Sequence, residues 1–220
     1  MKSTLLPWHL LTLAALVAPS AYLAYAWPAL PAQVPTHFSF DGRANGYTSR
    51  TGLWLLTLAL PLGAALLFTA LPRLDPKGRL DGASANFQKL RLALVGLLSG
   101  LACYVLYLAL HPGTPPGRGL AVLLGSFLMG MGNYLTTVQP NYFVGIRTPW
   151  TLESPTVWAR THRVGGVAFC GAGGLMIVLA LILPPAAAEA VLLGGIVGTS
   201  VFCYGYSYVA FRQEEAARPA

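Results

Sequence analysis

Charge is what this sequence has least of. Asp, Glu, Lys and Arg make up 10% of its 220 residues, against about a quarter in an ordinary soluble domain. No run of like charges and no long Ser- or Gln-rich tract accompanies the deficit, so solvated disorder does not account for it. Cysteine is scarce too. Cys103, Cys170 and Cys203 show no paired spacing, which argues against a disulfide framework or a zinc knuckle; they read as small packing residues. The centres of the apolar stretches hold no Asp, Glu, Lys or Arg. A proton-coupled transporter or an aspartyl intramembrane protease needs such a group. Ser99 and Ser126 lie in apolar stretches outside any Gly-x-Ser-x-Gly setting, which removes most of the case for a serine hydrolase.

What is abundant is apolar surface, at 55% of residues. It falls in six runs, about 7–26, 52–72, 91–110, 119–138, 164–183 and 189–211. Each is close to the roughly 20 residues a helix needs to cross a bilayer. The expected fold is an all-α integral membrane protein with six transmembrane helices. Residues 1–26 read as an uncleaved first helix, because the apolar stretch exceeds the 7–15 residues or so of a signal peptide.

Lysine and arginine set the orientation. With the N-terminus inside, eleven fall in cytoplasmic segments (Lys2, Arg73, Lys77, Arg79, Lys89, Arg91, Arg147, Arg160, Arg163, Arg212, Arg218) and three outside (Arg43, Arg50, Arg118). The expectation is N-in and C-in, with a two-span unit at 1–72 and a four-span unit at 73–220. The net charge of +7 is then rim charge, and direct nucleic-acid binding is not needed to explain it. The lipid bilayer is the first partner.

That orientation puts "LPAQVPTHFSFDGRANGYTSR", Leu30 to Arg50, outside the cell. Thr36 to Phe40 alternates polar and apolar, a strand period. Asp41-Gly42 and Asn45-Gly46 are turn dipeptides able to take positive φ, and Tyr47-Thr48-Ser49 supplies a return strand. The reading is a short hairpin-like cap, with Phe38 and Phe40 turned toward the bundle. Pro35, His37, Phe38, Asp41 and Gly42 are its candidate binding residues. His37 with Asp41, and with His111 of the next outer loop as a third candidate, makes only a weak metal set, since the spacing is loose and His162 lies about a bilayer thickness away; no cofactor is expected.

The second distinctive segment is "QPNYFVGIRTPWTLESPTVWARTHRVGG", Gln139 to Gly166. Ser154-Pro155 reads as an N-cap and first helical residue, opening a helix that places Trp158 and His162 on one face. Trp150 and Trp158 suit the aromatic belt at lipid headgroups. The candidate docking residues are Asn141, Arg147, Thr148, Trp150, Trp158, Thr161, His162 and Arg163. Asn133, Thr136 and Thr137 lie close enough to face this loop. Gly165, Gly166, Gly171, Gly173 and Gly174, with Gly194, Gly195, Gly198 and Gly205, predict a close hairpin between the last two spans. At an offset of 69, Val122–Gly125 also matches Val191–Gly194, a faint sign of a two-helix repeat.

The strings "PNYFVGIRTPWTL" and "VWARTHRVGG" resemble the signature of the SdpI-type bacterial immunity family. "LPAQVPTHFSFDGRANGY" resembles the domain of unknown function, built around P-x-H, that often precedes it. The resemblance implies a multi-pass protein of the bacterial inner membrane that resists a secreted peptide toxin. It also implies signalling, by docking a small winged-helix repressor on the cytoplasmic side. An enzyme centred on His37, metal-dependent or not, is the rival reading; a small-molecule transporter is a third.

Overall fold

The computed structural model describes residues 5–39, 42–76, 78, 80–141, 143–184 and 187–217. Helix α1 (Leu6–Ala26) runs through a 3₁₀ turn (Trp27–Ala29) into strands β1 (Gln33–Phe38) and β2 (Ala44–Ser49). A π-helical turn (Leu55–Ala59) leads into α2 (Leu60–Leu74). Then follow α3 (Ala85–Leu110), α4 (Pro116–Leu135), the short α5 (Pro149–Glu153), α6 (Pro155–Ile182) and α7 (Ala188–Ala216).

Among the described residues, five helical segments are long and apolar enough to cross a membrane: Leu6–Ala29, Leu55–Leu74, Ala85–Leu110, Pro155–Ile182 and Ala188–Ala216. The chain is a multi-pass, mostly helical membrane protein. Helix α4 has 20 residues but falls outside that set, because Arg118, Asn133 and its glycines dilute its apolar content. Large apolar side chains stay exposed around the bundle, among them Leu13, Val17, Leu66, Val167 and Ile182. A water-facing surface would not carry them in such number, whereas lipid tails solvate them.

Small residues set the central contact. Gly125 and Gly132 on α4 face Gly173 and Gly166 on α6, in antiparallel order. A Cβ on Gly132 would lie 2.5 Å from the Gly166 carbonyl, and one on Gly125 would lie 2.7 Å from the Gly173 carbonyl. Backbone therefore meets backbone, and no larger residue fits. This corrects the expected partnership of these glycines, which serve α4–α6 and not α6–α7. Helices α6 and α7 still pack together. There Met176 fills the space over Gly195 and Cys203 approaches Gly165, while Gly171, Gly174, Gly194, Gly198 and Gly205 have nothing near their missing Cβ. Gly125 is packed and Gly194 open, so the two glycines matched at an offset of 69 do not occupy equivalent settings.

The β-hairpin caps one end of the bundle. Val34 pairs with Thr48 and Pro35 with Tyr47, and the register breaks on both sides of His37. Gly42 takes φ +75 and donates its N–H to Ser39 O at 2.9 Å, as a turn glycine should. Asn45-Gly46 is not a turn, contrary to expectation; both residues lie in β2. Gly46 is needed there for space, because a Cβ would sit 2.8 Å from His37 Cβ. Leu30 and Val34 bury against Leu23, Leu53 and Leu106, and Arg50 lies over the Trp27 ring at 4.9 Å while donating to the Trp27 carbonyl. These contacts tie the hairpin to α1 and α3.

Candidate functional site

The segment before α6 is folded upon itself by one buried side chain. Asn141 is 5% exposed. Its Oδ1 accepts from the N–H groups of Phe143 and Val144 at 2.8 and 2.7 Å, and its Nδ2 donates to the carbonyls of Gln139 and Val144, both at 2.9 Å. All four hydrogen-bonding positions of the amide are thus spent on the loop's own backbone.

His162 locks that loop to α6. Its Nδ1 donates to the Trp158 carbonyl at 2.8 Å, and its Nε2 accepts the Ile146 N–H at 2.8 Å. Accepting an N–H requires a lone pair on Nε2, so the ring is neutral with its proton on Nδ1. Trp158 stacks on it at 4.0 Å between centroids and donates its indole N–H to Val138 O at 3.0 Å. Gly145 has φ +135. A Cβ on it would stand 2.5 Å from His162 Nε2 and 2.9 Å from the Trp158 ring.

Helix α5 is held at both ends. Thr148 and Thr151 form a reciprocal capping box, and Thr151 Oγ1 also donates to Ile146 O at 2.8 Å. Trp150 packs on Tyr204 and Tyr208 of α7, with centroids 5.0 and 5.1 Å away. Ser154 caps α6 by accepting the Val157 N–H at 3.2 Å, and donates to Glu214 Oε2 of α7 at 2.5 Å. The N-cap read from Ser154-Pro155 is therefore where it was expected.

Asn141, Thr148, Trp158, Thr161 and His162 are all buried, so they shape the segment from within. Trp158, expected at the headgroups, is 1% exposed because a carbonyl and an imidazole offer its ring more than the interface does. Arg147 and Arg163 are exposed, with Arg160 beside them, and Trp150 is half-buried. Thr161 has no hydrogen-bond partner for Oγ1 among the described residues. A cleft of about 420 Å³ opens between Thr136, Thr137 and Gln139 on one side and Trp158, His162 and Arg163 on the other. Thr136 and Thr137 thus meet the loop as expected, while Asn133 is exposed outside the cleft lining.

At the hairpin end, His37 is exposed, with Nδ1 2.5 Å from Asn45 Oδ1. Pro35 and Phe38 are half-buried, and Phe38 lines a second cavity with Pro116 and Leu192. Asp41 and Phe40 lie outside the described residues, so the His37–Asp41 pairing has no geometry to weigh. Sequence reasoning missed Thr151, Tyr204, Tyr208 and Glu214. Only Thr151 left a signal, in the Thr148-x-x-Thr151 spacing of a capping box.

The sequence that forms this segment is similar to known proteins. Residues 137–207 match the model of the SdpI/YfhL protein family, and residues 14–60 match a domain of unknown function, DUF1648. A 61-residue stretch is 38% identical to the immunity protein SdpI of Bacillus subtilis (strain 168), and spans 28% of this chain and 28% of that relative. No solved structure matches. Both resemblances read from the sequence are borne out.

Proposed function

Proceeding from an SdpI-type segment at residues 137–207, we propose that this chain is a bacterial inner-membrane protein that protects its cell against a secreted, toxin-like peptide. The hairpin faces outward and the loop before α6 faces the cytoplasm, with α4 as the sixth span. The lysine and arginine distribution supports that orientation. The observation that carries the reading is the reach of α4. Its first turn lines the cavity under the hairpin through Pro116 and Gly117, and its last residue, Leu135, lines the cleft beside Trp158 and His162. Glycine-to-glycine contact with α6 makes the pair stiff, so a peptide favouring one seating of α4 biases the far cleft.

On the cytoplasmic side, Arg147, Arg160 and Arg163 present positive charge on a rigid frame. Such a surface suits the acidic face of a small winged-helix repressor. The test is survival of a toxin-sensitive strain expressing the chain when challenged with supernatant containing a secreted peptide toxin. Protection that is lost with Phe38→Ala at equal membrane abundance supports the reading; no protection by the wild-type chain rejects it. Photocrosslinking from position 147 or 163 then tests docking. A small DNA-binding protein captured only under challenge supports it, and no capture removes it.

A further inference from the structure

The cavity beneath the hairpin, about 380 Å³, is walled by His37, Phe38, Asn45, Leu120, Leu192 and Glu189. Its size falls within the range of small-ligand pockets, about 300–1,000 Å³. Most of the wall is apolar, yet Glu189 brings a carboxylate to it. Glu189 is half-buried in the first turn of α7, and its inner oxygen, Oε2, is buried with no hydrogen-bond partner among the described residues. A buried carboxylate oxygen without a partner is costly, and a cation or donor arriving from outside relieves that cost. The nearby Arg118 does not serve, because its guanidinium is turned to the Leu183 carbonyl at 2.9 Å.

The other polar groups point to the same ligand chemistry. His37 Nδ1 lies 2.5 Å from Asn45 Oδ1, and in the neutral ring that donates from Nδ1, Nε2 is an acceptor. Room for the Glu189 side chain comes from Gly117, where a Cβ would lie 3.2 Å from Glu189 Cγ. An acid and an imidazole acceptor set in an apolar wall match a group that donates hydrogen bonds and carries positive charge on an oily stem.

We propose that this cavity binds a primary ammonium on an apolar segment, as a lysine side chain or the free N-terminus of a secreted peptide. The ammonium sits on Glu189, and the adjoining aliphatic residue lies between Leu120 and Leu192. The identity of the peptide's source rests on the immunity reading; the site itself does not.

The experiment uses the full chain in nanodiscs of phosphatidylcholine and titrates acetyl-Leu-Lys-Leu-amide by calorimetry. The same peptide with an Nε-acetylated lysine is the control. Saturable binding is expected, weakened about tenfold or more by lysine acetylation and by Glu189→Gln, the size of one lost charge-assisted hydrogen bond. Leu192→Trp fills the cavity while keeping the carboxylate and should weaken the lysine peptide equally, which decides the matter if Glu189→Gln does not fold. Equal affinity for both peptides, or affinity indifferent to Glu189→Gln, overturns the proposal. Binding abolished by adding phosphatidylethanolamine to the nanodisc assigns the ammonium to a lipid headgroup and overturns the peptide as occupant. No toxin enters this assay, so its failure leaves the survival result standing, and the reverse also holds.

Discussion

Ile146 donates its backbone N–H to Nε2 of His162, sixteen residues further along the chain, at 2.8 Å. That bond is the clasp of the loop before α6. A ring that both donates to its own helix and accepts from the loop has no proton to spare and no rotational freedom, since Trp158 covers one face. The loop is therefore a rigid attachment of α6, and movement of α6 carries it along.

Replacing His162 separates the bond from the packing. His162→Phe preserves the stack on Trp158 but leaves the Ile146 N–H unpaired, and should cost about 1–3 kcal/mol. His162→Ala also opens a cavity and should cost about 2–5 kcal/mol. Thermal unfolding in detergent measures both. Equal and small shifts for the two variants would show that the clasp does not hold the loop.

The glycines of α4 and α6 sort by face. Gly132→Ala drives a Cβ into the Gly166 carbonyl and Cys170, and should destabilise by about 1–3 kcal/mol through overpacking. Gly171→Ala, on the open side of α6, should be neutral or slightly stabilising. Matching melting temperatures for the two would contradict the α4–α6 contact.

Arg91 joins α3 to α1. It is 8% exposed and reaches His9 Nδ1 at 2.9 Å and Thr12 Oγ1 at 3.3 Å. A double-mutant cycle with His9→Ala and Arg91→Met should return a coupling of about 0.5–3 kcal/mol, as for residues in one hydrogen-bond network. A coupling near zero in unfolding experiments would show that the two helices associate without this pair.

Ser154 performs two tasks, capping α6 and bonding Glu214. Ser154→Ala should cost about 0.5–2 kcal/mol as a lost N-cap. Ser154→Asp restores the cap but sets a second carboxylate against Glu214, so stability should return only when Glu214→Gln is added. Full recovery by Ser154→Asp alone would remove the α6–α7 bond from the account.

The sequence by itself determined the membrane class, because runs of about 20 apolar residues with so few charges have only one solvent that suits them. It also determined the hairpin's existence, through alternation at Thr36–Phe38 and return at Tyr47–Ser49, and the start of α6, through Ser154-Pro155. These are local preferences, expressed before any helix meets another. The tertiary structure decided what depends on helix rotation and on which elements meet. Gly166 and Gly171 are the same kind of residue on the same helix, yet a Cβ on one would meet backbone and on the other nothing. Trp158 had either headgroups or Val138 O to satisfy its indole N–H, and only the folded loop brings the carbonyl within reach. Glu189 became part of a cavity when α4, α7 and the hairpin converged on it, a meeting of segments about 70 and 150 residues apart whose contacts follow from burial across the bundle and leave no pattern along the chain.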